Sequence, residues 1–173
     1  SRADEQSVYA HPMQVFRRNA SGTFDSIGES LPGEYLTTPH VGRGLWTIDA
    51  NRDGLTDFAV THQTEPVALL VNHSDEGGNW IDIDLRGRSC SRDAIGATVE
   101  VTIGERRWTA VQTSGDGYLC SNRRTLRFGL GDAIGNCQIQ VTWPDGTSQI
   151  FPDLEPNATW TLVQSDLQAY RTE

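Results

Sequence analysis

The chain has 173 residues, with 14 basic against 23 acidic side chains and a net charge of −9. That length permits one ordinary domain or two small ones, and 36% hydrophobic with 21% charged residues excludes a disordered chain. No apolar run is long enough for a transmembrane helix, so no membrane insertion is expected, and the negative field favours cations over nucleic acid as partners.

The opening SRADEQSV is polar and lacks the apolar stretch of a secretory signal. Short β-rich runs bounded by Gly, Pro, Asn and Asp then predict strands near Met13–Arg17, Gly44–Asp49, Phe58–Thr61 and Ala68–Asn72. NHSDEGGN, from Asn72 to Asn79, reads as a linker. After it, Trp80–Arg86 places Ile81, Ile83 and Leu85 on one face, and Ala97–Ile103 places Ala97, Val99, Val101 and Ile103 on one face. Asp82 and Asp84 fall opposite the first of these and read as an exposed polar face. Arg107–Thr113 follows across a short Gly104–Glu105–Arg106 turn. Thr125–Phe128, Gln138–Trp143, Thr147–Phe151 and Thr159–Val163 complete seven strands, with Pro144–Asp145–Gly146 supplying turn chemistry. Helical periodicity is nearly absent, so the expected fold class is all-β with a sandwich-like second part.

Between two predicted strands lies DANRDGLTD. Asp49, Asn51 and Asp53 take positions 1, 3 and 5 of the run. Gly54 stands where the chain must turn, Leu55 offers its carbonyl, and Asp57 closes the set. Oxygen donors in that register suit a hard cation, so Ca2+ is the expected cofactor. Position 12 is Val60, and strand follows where an EF-hand would begin a helix, so the loop is not an EF-hand.

GLWTIDANRDGLTDFAV resembles the calcium loop of FG-GAP/VCBS repeats, which form β-propeller blades. NWIDIDLRG, SRDAIGATVEV, SGDGYLCS, LRFGLG and VTWPDGT, in that order, resemble the ASPIC/UnbV domain of the cartilage acidic protein family. The resemblance implies a propeller-type segment over residues 1–78 with the calcium loop, and a β-sandwich-like ASPIC/UnbV domain over 79–173. It also implies a non-catalytic, calcium-stabilised binding or adhesion-type module, secreted or held at a bacterial envelope, with a protein or glycan ligand. About 78 residues cannot close a propeller ring. The chain is therefore expected to be the C-terminal part of a longer protein, with the remaining blades in cis or on a partner chain.

The three cysteines show no C-x-x-C spacing, which argues against structural zinc. A Cys90–Cys120 disulfide is expected, because the RDAIGA and GYLC loops are read as lying at one end of the domain; three free thiols are the alternative. His11, His40, His62 and His73 have no metal spacing and read as packing or surface residues. Arg123, Arg124 and Arg127, with Arg106 and Arg107, are expected to pair with Glu105, Asp116 and Asp132 rather than form a docking patch. Trp46, Trp80, Trp108, Trp143 and Trp160 read as core residues rather than a sugar platform. With no GxSxG or HExxH run, the chain is not read as an enzyme. The competing reading is a carbohydrate-active hydrolase or lyase with its site at the domain junction, since carboxylate pairs meet only in three dimensions.

Overall fold

A computed structural model describes residues 9–51, 53–74, 77–117 and 120–172. The chain is nearly all β. Strands β1 (Phe16–Arg18) and β2 (Phe24–Ser26) form a hairpin. A 3-10 turn, Gly28–Ser30, and a four-residue helix α1 (Glu34–Thr37) follow. Strands β3 (Gly42–Ile48), β4 (Asp57–His62) and β5 (Ala68–Leu70) then make an antiparallel three-stranded sheet. No closed propeller ring forms among the described residues. Asp75 and Glu76 of the expected linker lie outside them.

The remaining strands are β6 (Asn79–Arg86), β7 (Thr98–Ile103), β8 (Arg106–Val111), β9 (Thr125–Gly131), β10 (Cys137–Thr142), β11 (Ser148–Leu154), β12 (Ala158–Val163) and β13 (Ala169–Thr172). They form two four-stranded sheets, in the orders β11-β10-β7-β8 and β13-β12-β6-β9. That is eight strands against the seven expected; β13 was missed in sequence, as was β2.

The sandwich follows from period-2 patterning. In β7 the side chains of Val99, Val101 and Ile103 are buried and alternate with partly exposed neighbours, and β10 does the same with Cys137, Ile139 and Val141. These meet Ile81, Ile83 and Leu85 of β6, with Phe128, Trp143, Phe151 and Leu162, in one continuous core. Each such aliphatic side chain contributes about 1.5–3 kcal/mol by leaving water. Gly146, at φ +84°, makes the β10–β11 turn, which Trp143 closes by donating its amide to the Thr147 carbonyl.

β6 departs from the expected pattern. It is paired on both edges, antiparallel to β9 and parallel to β12, and both its faces are covered. Asp82 and Asp84 are 6% and 4% exposed, so the expected exposed polar face is a buried one. The register supplies the reason: Asp82 lies opposite Arg127, and Asp84 opposite Thr125. Buried carboxylates of this kind need such partners.

Candidate metal centre

The loop between β3 and β4 is drawn together by its own polar side chains. Asp49 accepts hydrogen bonds from the amides of Asp53 (3.1 Å) and Gly54 (3.0 Å) on its two oxygens. Asn51 Oδ1 accepts from the Asp53 amide at 3.2 Å, and Asp53 Oδ1 from the Leu55 amide at 2.8 Å. The Asn51 amide nitrogen donates to Asp53 Oδ2 at 2.7 Å. The Leu55 amide and the Asn51 side chain hold the Asp53 carboxyl below its ordinary 3.8. Gly54 is required twice over: its φ is +84°, and a Cβ there would lie 2.7 Å from the Trp80 indole nitrogen.

Asp57 differs from the other acids of the loop. It is fully buried, and its two oxygens accept from the Ala50 and Asn72 amides, each at 2.8 Å. Asn72 in turn donates to the Thr56 carbonyl at 3.3 Å. Asp57 thus ties the loop before β4 to the segment after β5. The predicted donors are carboxylate, amide and carbonyl oxygens on one short loop, the chemistry that a hard dication accepts, but the carboxylates of Asp49, Asp53 and Asp57 do not all lie within 4.8 Å of one another.

This loop rests on the sandwich. Arg127 grips Asp82 with two hydrogen bonds (Nε–Oδ1 2.8 Å, Nη2–Oδ2 2.7 Å) and donates its remaining terminal nitrogen to Thr56 Oγ1 at 2.9 Å. Its guanidinium lies 5.0 Å above the Trp80 ring. The Asp82 carboxylate raises the pKa of Arg127 against the opposing effect of burial, and Asp49 adds to the same effect. A second link runs from the Thr47 amide to Asn122 Oδ1 at 2.7 Å. A third joins the Cys120 thiol to the Leu45 carbonyl at 3.4 Å.

Other expected pairings change in the fold. Arg123 pairs with Asp84, which also accepts from Thr125 Oγ1 at 2.6 Å, and Arg124 pairs with Asp93 at 2.8 Å. Among the described residues, only Arg106 of this cluster reaches one of the acids proposed for it, Asp132, at 2.6 Å. Arg107 turns to Glu100 at 3.6 Å. Cys90, Cys120 and Cys137 are free thiols in the structure, without the expected Cys90–Cys120 bridge. The reason is local: the Cys90 thiol lies 3.4 Å from Gln164 Oε1, whereas Cys120 faces Leu45 across the junction. Cys137 is a core residue, and burial pushes its thiol up to about 11. Of the tryptophans, Trp143 is fully buried, Trp108 and Trp160 pack against the core, and Trp80 lies under Arg127.

At the opposite end of the β3–β4 pair the structure assembles a cluster that sequence reading missed. His40 Nδ1 lies 2.6 Å from Glu65 Oε2. His62 Nε2 lies 2.6 Å from the Tyr35 hydroxyl, and its Nδ1 2.7 Å from the Pro66 carbonyl. Tyr35 stacks on His40 with ring centroids 4.2 Å apart. Burial, reinforced by the Glu65 charge, raises the Tyr35 pKa. The usable signal in sequence was the hairpin register: β3 and β4 run antiparallel from the acidic loop, and residues near 40 and 62 meet at their far end.

The segment from Gly87 to Ala169 coincides with most of the sandwich. It matches the ASPIC and UnbV family over residues 87–169. The ASPIC/UnbV domain therefore contains β7 to β12, while β6, whose Asp82 holds Arg127, precedes the match. Cartilage acidic protein 1 from Homo sapiens is 28% identical over 123 residues, which is 69% of this chain and 18% of that protein. The Mus musculus protein of the same name is 28% identical over 123 residues, covering 19% of its length. The chain thus spans less than a fifth of the curated relatives it matches.

Proposed function

We propose that the chain is a non-catalytic, calcium-stabilised binding module that works outside the cell, as the C-terminal part of a larger propeller protein. The observation that carries this reading is the 49–57 loop, whose Asp49, Asn51 and Asp53 side chains fold onto its own amides and which lies directly against Arg127 and Trp80 of the sandwich. Calcium would be held by Asp49, Asn51, Asp53, the Leu55 carbonyl and Asp57. When bound it neutralises carboxylate repulsion and stiffens the strand connection. The protein's own residues do the rest. Asp57 fixes both ends of the loop, and Arg127 joins it to the sandwich.

The match to relatives named for cartilage supports an extracellular setting, and the net charge of −9 agrees with an acidic protein. The expected ligand is a protein or a glycan. Leu45, Ile48, Val67 and Leu69 are exposed on or beside the β3–β5 sheet, which supports further blades, in cis or on a partner chain, as its cover. The hydrolase reading loses its best carboxylate pair, since Asp82 and Asp84 are both engaged by arginines. Titration calorimetry with calcium on wild type and Asp53→Ala tests the loop. Binding in wild type and its loss in the variant is the expected result; equal heats from the two proteins would remove calcium from the reading.

A further inference from the structure

Tyr35 sits on α1, His40 precedes β3, His62 ends β4 and Glu65 lies in the turn before β5. The His11–His40 bridge, with both backbone hydrogen bonds at 3.1 Å, fixes the His40 backbone. One nitrogen of each imidazole and one Glu65 oxygen lie within 4.8 Å of one another. We propose that His40, His62 and Glu65 bind a divalent transition-metal ion of the zinc class, at a site separate from the acidic loop.

Three features carry this. The first is reach. An ion bonded to nitrogen and oxygen at about 2.0–2.2 Å joins donors up to about 4.4 Å apart. A shift of a few tenths of an ångström in Glu65, whose side chain is 41% exposed, closes the set. The second is orientation. The Pro66 carbonyl accepts the hydrogen bond of His62 Nδ1–H, so Nε2 carries the lone pair, and the Tyr35 hydroxyl, which donates to it at 2.6 Å, gives it up when an ion binds there. The third is what His40 lacks. Its Nε2 is buried with no hydrogen-bond partner among the described residues. A buried ring nitrogen without a partner is uncommon in a histidine kept only for packing. When a metal takes Nδ1, the ring proton moves to Nε2.

The donor set selects the ion. Imidazole nitrogens suit zinc and its neighbours, whereas calcium takes oxygen ligands. Tyr35 and His40 also line an open cavity of about 240 Å³ with Tyr9, His11 and Met13, so one side of the cluster borders open space.

The test is zinc titration of the full chain in saturating calcium, followed by cobalt(II) absorption. Wild type takes up one equivalent of zinc, and His62→Gln and Glu65→Gln each weaken uptake at least about tenfold. The cobalt form shows visible bands without a thiolate charge-transfer band, which separates this site from the free cysteines. Circular dichroism checks the fold; should His62→Gln unfold, the exposed Glu65→Gln decides. No zinc uptake by folded wild type, uptake unchanged in Glu65→Gln, or a thiolate band would each overturn the proposal.

Discussion

Between Asn79 and Thr172, eighteen buried side chains among the described residues form a single core. Between Tyr9 and Ser74, the buried apolar residues among those described are Val41, Ala59 and Val60, while Phe16, Phe24, Val67 and Leu69 are more than half exposed. Both regions are built of strands. The first is held by apolar area and the second by polar stitches, chiefly Asp57 within its sheet and Arg127 and Asn122 to the sandwich. Strand content alone therefore does not measure how far a region supports itself. A sheet with little core depends on specific hydrogen bonds, and each of those is a single point of failure.

That contrast can be broken most directly in the core. Trp143→Ala should cost about 3–5 kcal/mol in denaturant unfolding, against less than about 0.5 kcal/mol for Leu69→Ala on the exposed sheet. Comparable costs at the two positions would show that the N-terminal sheet has a core of its own. Arg127→Met leaves Asp82 buried without a charge partner, and about 3–5 kcal/mol should be lost. Adding Asp82→Asn should restore much of it, and a double variant no better than the single would deny the coupling. Asp57→Ala removes the buried carboxylate that accepts from the Ala50 and Asn72 amides, at a cost of about 2–4 kcal/mol together. Hydrogen exchange should localise that damage to β3–β5 and leave β7 and β10 protected. Uniform loss of protection would mean the two regions unfold as one.

Smaller effects sharpen the same picture. Calcium at a hundredfold excess over its dissociation constant should stabilise by about 2.7 kcal/mol, seen as a raised melting temperature that Asp53→Ala abolishes. The weakest is a pH effect in the sandwich. The Thr147 hydroxyl and amide, with Gln164, hold the Asp145 carboxyl below its ordinary 3.8. A carboxyl held low in the folded chain binds protons less readily than in the unfolded one. Its contribution is whole above 3.8 and drains as pH falls through the folded value. Asp145→Asn should flatten the acid limb of the stability curve, and an unchanged limb would discount this turn.

The sandwich was largely legible because its strands alternate: Val99, Val101 and Ile103 announce their face without any partner. The turn at 49–57 was legible for a similar reason, since Asp49, Asn51 and Asp53 accept hydrogen bonds from amides within it. Asp82 and Asp84 misled because alternation reads polar as exposed, and only the β6–β9 register brings Arg127 and Thr125 opposite them. β2 and β13 were missed since Phe24–Ser26 is exposed throughout and Ala169–Thr172 nearly so, leaving no pattern to read. The Tyr35–His40–His62–Glu65 cluster draws on four segments, and only His62 and Glu65 are close in sequence.

The parallel pairing of β6 with β12 has a consequence for time. Ile81 aligns with Ala158 and Leu85 with Leu162, so the central strand of one sheet waits for almost the end of the chain before that edge is closed. Loop closure over such a separation must precede its reward, which places folding in the range of roughly milliseconds to seconds rather than microseconds. During synthesis, Ile81, Ile83 and Leu85 emerge long before their neighbour. Until Val163 follows, β6 is an open strand edge, and the nascent chain is most prone to mispairing there.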